Sequence, residues 1–533
     1  YDEPFLPNFR AGDVVVLYER NQMTDNVTNK LVFKGSIEWL TATEVCIRLR
    51  ASQRNLSVFP NDSRYAMEHD SMDTTFRSMY LGLSAFMNAN QERKDLLLGR
   101  RKPRFDETIY AKNTHFIDDF ERVATKALAA EDYFLLVGPP GTGKTSRALR
   151  RMVEKFYAEP DSQILLLAYT NRAVDEICSS LNTIAPSVDY IRIGGELSCD
   201  ERYREHLAEN VLAAYQTRRE VRACLSACRV YVGTVASLSS HTELFHLKRF
   251  DVVIVDEATQ ILEPQLLGLL SAKASDGRDA IGKFVLIGDH KQLPAVVLQS
   301  KESSEVYDEG LRQMGLLNLK DSLFERLYRS HLKEGDSLAL DMLCRQGRMH
   351  PSVASFPNKA FYGGRLEAVG LPHQLESVEV PVLFIPSQRD TSSLSGKTNL
   401  HEAQMVADWA ERVCGEAFDA HRTLGIITPY RSQIATIRKA LQDKAIPVLM
   451  DVSVDTVERY QGSERDVILY SFCVNHRYQL KFLPNLTEEN GVLIDRKLNV
   501  ALTRARKQLI AMGCVEILRE NPIYARFVDS CCR

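Results

Sequence analysis

The sequence predicts an α/β protein with two tandem parallel sheets behind a smaller β-rich module. Short apolar runs alternate with helical stretches from about residue 111 onward, as parallel sheets buried on both faces require. A glycine-rich loop follows the first of these runs, whereas polar turns separate the runs nearer the N-terminus. With 533 residues, the chain is long enough for about three or four domains of roughly 150 residues each.

Residues 1–110 are predicted to form an accessory module, a β-barrel with a helical stalk. The runs 12–18, 30–34 and 44–50 are short and rich in β-branched residues, and polar turns separate them, which favours a small barrel. From 65 to 93 the apolar spacing is helical and predicts the stalk. The basic link Gly-Arg-Arg-Lys-Pro-Arg at 99–104 could contact phosphates, but a solvated linker explains its charge equally well.

Residues 111–335 are predicted to form the first sheet domain, with strands at 133–137, 164–169, 230–232, 250–255 and 284–287. The first strand leads into a phosphate-binding loop that consists of Gly138, Pro139, Pro140, Gly141, Thr142, Gly143, Lys144 and Thr145. The glycines let backbone N–H groups close around phosphate oxygens, Lys144 reaches the β- and γ-phosphates, and Thr145 can ligate Mg²⁺. The helix that follows points its positive end at the anion. This pattern predicts a nucleoside triphosphatase.

Two acids follow the strand at 250–255, at the edge where open α/β sheets bind ligands. Asp256 is expected to hold Mg²⁺, and Glu257 is expected to polarise the attacking water. Another apolar strand ends before Gly-Asp-His-Lys-Gln-Leu-Pro at 288–294, where Gln292 is suited to reach a γ-phosphate. An acidic pair alone would more simply be a solvated helix start, but its combination with the phosphate loop favours catalysis.

Residues 336–533 are predicted to form a second sheet domain, with strands at 380–384, 423–427, 466–471 and 508–512.

The net charge of −3 gives no global sign of nucleic-acid binding, so any such surface must be a local groove. The 11 cysteines form no C-x-x-C pair and are expected to be reduced thiols. No apolar run is long enough to span a bilayer, and we expect an intracellular protein, nuclear or cytoplasmic. Because the first residue is Tyr, we expect a fragment or processed product.

An ordered set of motifs over residues 111–515 resembles that of superfamily 1 helicases. The motifs are GPPGTGKT at 138–145, DEATQ at 256–260, GDHKQLP at 288–294, QGRMHP at 346–351, VDTVERYQGSE at 454–464 and NVALTRAR at 499–506. Segments 130–137, 169–175 and 322–327 are similar to the 1B branch, especially to the helicase half of the replication flap-processing nuclease-helicases and next to the messenger-RNA-decay helicases. The resemblance implies two RecA-like P-loop domains that bind ATP and Mg²⁺.

The resemblance also implies roles for residues outside the phosphate loop. Arg348 and Arg504 resemble arginine fingers, which supply positive charge to a transition-state phosphate, and Gly462 and Glu464 resemble the motif that touches the nucleotide. The positions that match contacts to a single strand's backbone are Thr170, Asn171, Thr234, Ser237, Thr428, Pro429, Tyr430, Arg431 and Thr456. Taken singly, an arginine is more often part of a surface ion pair, and a threonine is more often a helix cap.

The implied activity is ATP-dependent 5′→3′ movement along single-stranded DNA with strand separation. An RNA helicase of the decay type stays open, because nothing in the sequence indicates or excludes a reader of the 2′-hydroxyl. A nucleotide-gated clamp that does not unwind also stays open.

Two features of the sequence depart from the family pattern. Gly347 stands where relatives have a Tyr against adenine, and the glutamine expected before the phosphate loop is missing near residues 120–122. We therefore expect weak discrimination between bases, or recruitment of another aromatic residue such as Tyr430. Pro160 and Asp161 have no fitting downstream E-x-K, so any nuclease is expected to lie outside this chain.

Overall fold

The structure is a computed structural model that describes residues 9, 12–41, 43–70, 75–112, 115–297, 299–334, 338–393, 396–415 and 417–531. It is an α/β chain with two parallel sheets, which confirms this level of the predicted fold class. Within these ranges no helix is long and apolar enough to cross a membrane. The cysteines within them are all free thiols, and Cys532 lies outside the described residues.

The N-terminal module is an open antiparallel sheet. Its strands are β1 (Val14–Glu19), β2 (Val32–Leu40), β3 (Val45–Leu49) and β4 (Tyr65–His69), in the order β3-β2-β1-β4. The edge strands β3 and β4 pair with no further strand in the described part, so the predicted barrel is not confirmed. The helix predicted from 65 is wrong at its start, because β4 pairs with β1 from Glu19–Tyr65 to Val15–His69, a contact between distant residues that overrides local spacing.

Two helices, α1 (Thr75–Met87) and α2 (Gln91–Leu97), connect this sheet to the next domain. A Cβ on Gly268 would collide with the backbone of Gly82 in α1, and a Cβ on Gly82 would collide with the carbonyl of Pro264. In the basic link, Arg101 and Arg104 both donate to the buried carboxylate of Asp132, at 2.7 Å and 3.0 Å. These two arginines therefore tie the module to the first parallel sheet.

The first parallel sheet has the strand order β11-β5-β10-β9-β6-β8-β7. Its strands are β5 (Tyr133–Val137), β6 (Ile164–Ala168), β7 (Tyr190–Ile193), β8 (Val230–Thr234), β9 (Phe250–Val255), β10 (Ile281–Gly288) and β11 (Leu340–Met342). Its helices are α3 (Glu107–Ala111), α4 (Asp119–Ala129), α5 (Arg150–Ala158), α6 (Asn171–Leu181), α7 (Ala208–Leu212), α8 (Arg218–Ala227), α9 (Val235–Ser240), α10 (Glu243–Leu247), α11 (Glu263–Leu270), α12 (Lys301–Ser304), α13 (Glu309–Gln313) and α14 (Leu323–Glu334). Leu135 and Leu136 on successive positions of β5 belong to different apolar clusters, so the sheet is buried on both faces.

The second parallel sheet has the order β14-β20-β17-β15-β16. The strands from here to the C-terminus are β12 (Arg345–Gln346), β13 (Glu367–Ala368), β14 (Val382–Pro386), β15 (Leu424–Ile427), β16 (Ser453–Asp455), β17 (Arg465–Ser471), β18 (Leu486–Glu489), β19 (Val492–Asp495) and β20 (Ala505–Gly513). The helices are α15 (Pro351–Phe361), α16 (Pro372–Leu375), α17 (Leu400–Val413), α18 (Arg431–Asp443), α19 (Val457–Tyr460), α20 (Arg496–Leu502), α21 (Val515–Leu518) and α22 (Pro522–Ser530). Two further apolar clusters cover its faces.

Strand β11 lies beyond the domain boundary predicted at 335, yet it pairs in parallel with β5. Polar contacts also join the two sheet domains. Glu489 of the β18–β19 hairpin lies 2.5 Å from His290 Nε2 and 3.1 Å from Lys291 Nζ. Tyr362 donates to Asp289 at 2.7 Å. The two sheets therefore hold the segment 289–292 between them.

Candidate nucleotide site and nucleic-acid edge

The phosphate-binding loop lies at the carboxyl end of β5, between the two sheets. Gly141 and Gly143 adopt left-handed backbone conformations, with φ of 74° and 75°, which only glycine adopts without strain. Gly141 also accepts a 2.8 Å backbone hydrogen bond from Gly347 of the second domain, and a Cβ at Gly141 would collide with Arg348. After the loop, a π-helical stretch Lys144–Leu149 leads into α5. The loop conformation thus depends on glycine and on contact with the second domain.

Lys144 and Thr145 each contact one of the two predicted catalytic acids. Lys144 Nζ lies 2.7 Å from Glu257 Oε1, and the hydroxyl of Thr145 donates to Asp256 Oδ2. Glu257 itself has φ of 52°, an uncommon conformation for a residue with a side chain, and such strain concentrates at functional sites. Gln260 Nε2 donates to the second oxygen of Glu257 at 3.0 Å, which fixes the orientation of the carboxylate.

The pKa values of the two adjacent acids shift in opposite directions. Burial, together with the charge of Glu257, raises the pKa of Asp256 above its ordinary value. Burial acts on Glu257 in the same direction, but Lys144 outweighs it and keeps the pKa of Glu257 below its ordinary value. Glu257 is thus the acid that stays ionised, as a group that polarises water requires.

Arginines from the second sheet domain approach the phosphate-binding loop and Glu257. Arg504 is 1% exposed, and its Nη2 donates to Gln292 Oε1 at 3.2 Å, while Gln292 Nε2 donates to Asp289 at 2.9 Å. Burial and the neighbouring Arg348 lower the pKa of Arg504 to about 9, so it stays cationic at neutral pH. Arg348 Nε lies 2.5 Å from Glu464 Oε2. The structure therefore brings together residues that are more than 300 positions apart in sequence.

These residues line one cleft of about 860 Å³ between the sheets. The predicted residues on its wall are Pro139, Pro140, Gly141, Thr142, Gly143, Lys144, Thr145, Glu257, Gln292, Arg348, Gly462, Glu464 and Arg504. The oxygen atoms of Thr145 and Asp256, held together by their hydrogen bond, are the hard donors that Mg²⁺ prefers. The residues present thus fit a nucleoside triphosphate with one Mg²⁺.

Apolar residues line one end of the cleft, near Gly347. A Cβ on Gly347 would lie 3.0 Å from Leu371 Cδ1 and 3.3 Å from Val369 Cγ2, so these side chains fill the space beside it. Phe120 lines the same cleft. Tyr430, the aromatic residue suggested from sequence, is not among the residues on the cleft wall and instead accepts a hydrogen bond from Gln479. That suggestion is wrong because α18 and the 473–479 loop hold Tyr430 elsewhere.

The predicted strand-contacting residues lie at the carboxyl ends of parallel strands in both sheets. Thr170 follows β6 and caps α6, Thr234 ends β8 and caps α9 together with Ser237, Thr428 follows β15, and Thr456 follows β16. The exposed Asn171 and Arg431 and the half-buried Pro429 and Tyr430 complete the set. Thr234, Thr428 and Thr456 are buried, so these three contribute backbone groups more readily than hydroxyls. No contact of these residues with nucleic acid is part of the structure, and their role stays a prediction.

Sequence reasoning missed several residues of the cleft. Arg172 and Glu176 of α6 line it, and Arg172 Nη1 donates to Ser463 Oγ at 2.5 Å. Arg172 lies within the segment 169–175, which resembles the 1B branch, and Glu176 directly follows it. Their closeness in sequence to Thr170 could have indicated them. Val369 and Leu371 lie in a loop without any motif, and no pattern in the sequence indicated them.

The cleft between the two parallel sheets fits a nucleoside triphosphate, and comparisons with known proteins indicate which proteins the chain resembles. Two family models, both described as AAA domain, match the chain. One matches residues 117–216 and 200–300, and the other matches residues 319–516. The DNA replication ATP-dependent helicase/nuclease DNA2 of Bos taurus is 27% identical over 97% of this chain and 49% of its own length. The helicase/nuclease JHS1 of Arabidopsis thaliana is 29% identical over 96% of this chain and 38% of its own.

A third relative is matched over most of its length. The DNA polymerase alpha-associated DNA helicase A of Saccharomyces cerevisiae is 24% identical over 96% of this chain and 85% of its own length. The chain spans half or less of the two helicase/nucleases described above. The chain therefore resembles a superfamily 1B helicase core, and in particular the helicase half of those helicase/nucleases, as its motifs predicted.

Proposed function

We propose that this chain is a 5′→3′ translocase on single-stranded DNA that couples ATP hydrolysis to strand separation. The observation that carries the proposal is the convergence of Lys144 and Glu257 from one sheet with Arg348 and Arg504 from the other on a single cleft. A cleft completed by two domains makes hydrolysis depend on their relative position. In this proposal both sheet units are RecA-like domains, residues 111–335 and 336–533, and residues 1–110 are an accessory module.

In the proposed hydrolysis step, backbone N–H groups of 138–145 and Lys144 hold the phosphates. Lys144 must exchange its ion pair with Glu257 for the phosphate, which leaves the Glu257 carboxylate to orient and polarise water. Thr145 and Asp256 would hold Mg²⁺, which would neutralise charge on the phosphate oxygens. Arg504 and Arg348 stabilise the negative charge that develops in the transition state.

The proposed movement follows from the polar character of the domain interface. Segment 289–292 is held from the second domain by Glu489, Tyr362 and Arg504. Polar groups at such an interface can exchange their partners for water when the cleft opens, which the groups of an apolar core cannot do. Closing and reopening of the cleft would shift the strand-contacting edges of the two sheets relative to each other.

The proposal names DNA because the relatives above carry DNA in their names, and it takes the direction from the 1B resemblance. The predicted contacts on the strand come from hydroxyls and loop N–H groups, which bind phosphates without reading sequence. Binding is accordingly expected to be tolerant of base sequence.

The test measures ATP hydrolysis with matched single-stranded DNA and RNA of identical sequence, followed by strand displacement on duplexes with a 5′ or a 3′ tail. We expect stronger stimulation by DNA and displacement only from the 5′ tail. Stronger stimulation by RNA would favour the decay-type alternative. Strand-stimulated hydrolysis without displacement from either tail would contradict the helicase proposal and support a nucleotide-gated clamp.

A further inference from the structure

We infer that Arg172 is a positioning residue that couples strand binding to hydrolysis by holding Ser463 and, through it, Arg504. The inference rests on the proposed function, because it assumes that a single strand binds at the start of α6. It adds a residue whose side chain neither belongs to the phosphate machinery nor was predicted to contact the strand.

Arg172 lies where three parts of the molecule meet. It follows Thr170, the N-cap of α6, and Asn171, its first residue, both of which are predicted to contact the strand. Its own side chain points to the other domain, where Nη1 donates to Ser463 Oγ at 2.5 Å and Nη2 donates to the carbonyl of Gly462 at 3.3 Å. One turn later on the same helix, Glu176 lies 3.7 Å from Arg172 Nε and lines the nucleotide cleft.

The hydrogen bonds of Arg172 are unusual for a side chain that is 54% exposed. An exposed arginine normally loses in side-chain entropy most of what one surface ion pair contributes. Here two donors of the planar guanidinium reach two acceptors on consecutive residues, and this geometry fixes the side chain as a lysine could not. Gly462, with φ of 82°, turns the backbone so that both acceptors face α6.

Ser463 is held from its other side by Arg504, whose Nη1 donates to the Ser463 carbonyl at 3.4 Å. Arg504 in turn donates to Gln292 at 3.2 Å. A continuous series of hydrogen bonds therefore runs from the first turn of α6 through Ser463 to Arg504 and Gln292. A strand that displaces the start of α6 changes the position of Ser463, and with it the geometry of the arginine that faces the phosphate.

The experiment compares ATP hydrolysis by the full chain with and without saturating oligo(dT). The variants are Arg172→Ala, Arg172→Lys, Ser463→Ala and the double alanine variant, with Arg202→Ala as the control for loss of an exposed arginine in the same domain. Ser463→Ala removes the hydroxyl that Arg172 binds and keeps the carbonyl that Arg504 binds.

We expect Arg172→Ala to lower the ratio of strand-stimulated to basal turnover about tenfold, within the usual range of coupling between sites. Ser463→Ala should show a smaller loss in the same direction, and the double variant should be no worse than Arg172→Ala, because both changes remove one interaction. Arg172→Lys should recover part of the stimulation, and Arg202→Ala should behave as the unmodified protein.

Two results would overturn the inference while the proposed function stands. Full stimulation of Arg172→Ala at saturating oligo(dT), with only a higher half-maximal concentration, would make Arg172 an ordinary strand contact. An equal loss of basal and stimulated turnover would make it a structural residue. If oligo(dT) and a matched RNA both fail to stimulate the unmodified protein, the proposed function itself fails, and this inference fails with it.

Discussion

At the scale of single residues, the catalytic assignment depends on which of two adjacent acids faces the lysine of the phosphate-binding loop. Asp256 contacts the Thr145 hydroxyl, whereas Glu257 contacts the Lys144 ammonium. Burial favours the neutral form of both acids, but the Lys144 ammonium outweighs it at Glu257 and lowers that pKa, whereas burial and the charge of Glu257 raise the pKa of Asp256. A spacing pattern can show that two acids follow a strand, but it cannot show which of them faces the lysine.

Glu257→Gln should therefore keep nucleotide binding and lose hydrolysis, because only the water-polarising charge is removed. Loss of a comparable electrostatic group costs about 2.7–4 kcal/mol, or a factor of about 10²–10³ in turnover. Lys144→Ala should instead weaken nucleotide binding. Equilibrium binding of a fluorescent ATP analogue and single-turnover hydrolysis separate the two effects. Near-normal turnover of Glu257→Gln would rule out its assigned role.

The acid limb of the pH profile tests the same residue. Since the folded-state pKa of Glu257 lies below its ordinary value, the group stays ionised as pH falls to that value, and turnover should be lost only below it. A kcat/KM profile measured between pH 4 and 8 on the unmodified protein is the measurement, because kcat/KM reports the ionisation of the free enzyme, in which Glu257 faces Lys144. Loss of activity that begins near pH 7 would show that another group controls the step.

Base selection is a second question at this scale. Gly347 itself offers no ring to face adenine, and Leu371 and Val369 fill the adjoining space. Since apolar contacts discriminate weakly, we expect KM values for ATP and GTP within about fivefold of each other. Leu371→Ala should raise both KM values alike with kcat unchanged, the pattern of lost uniform binding. Leu375→Ala, at a 75% exposed position, is the control. Strong preference for ATP that Leu371→Ala does not alter would contradict this account.

At the scale of elements, prediction worked best where burial decides structure. The apolar runs at 133–137 and 250–255 coincide with β5 and β9 because a strand buried on both faces needs a continuous apolar sequence. The short strands β7 and β11 were missed, because their four and three residues are too few to show a hydrophobic periodicity. The barrel was not confirmed because alternating strands look the same in sequence whether a sheet closes or stays open.

The basic link shows how a partner that is distant in sequence settles an open interpretation. Burial opposes the ionisation of Asp132, but Arg101 and Arg104 outweigh it and lower its pKa from 3.8 to about 2. A depressed pKa of a carboxyl group contributes stability that is complete above its unfolded-state value and is lost as pH falls from about 4 to 2.

Asp132→Asn should accordingly reduce the free energy of unfolding at pH 7 by about 1–2 kcal/mol, a value discounted because Arg104 is largely exposed. Urea unfolding at pH 7 and near pH 2 gives the measurement, and the difference from the unmodified protein should shrink at the lower pH. The exposed Asp62→Asn is the control. An undiminished difference near pH 2 would show that the carboxylate charge is not the cause.

At the scale of the whole molecule, the sequence predicted which residues belong to the cleft but not how they meet. The loop at 138–145 and the acids after β9 were derivable from local pattern, because one sheet edge brings them together. The positions of Arg348 and Arg504 came only from the family resemblance, since no local rule relates two arginines to a loop more than 200 residues earlier. Their contacts with Glu464, Gln292 and Ser463 required the packed structure.

The closing of the cleft gives the remaining prediction. Arg504→Ala should bind nucleotide and single strand almost as the unmodified protein does, because neither Lys144 nor the loop contacts depend on it, yet stimulated turnover should fall by about 10²–10³. Since Arg504 is buried, its loss leaves Gln292 without one partner, and thermal unfolding must show that the variant is folded.

Arg504→Lys serves as a second variant: it keeps the charge and should recover only part of the rate, because a lysine cannot reach Gln292 and Ser463 together. Arg477→Ala, which removes an exposed arginine paired with Glu520 in the same domain, is the control. Loss of nucleotide binding in a folded Arg504→Ala protein would instead make this arginine part of the ground-state site, and the dependence of hydrolysis on domain closure would need another residue.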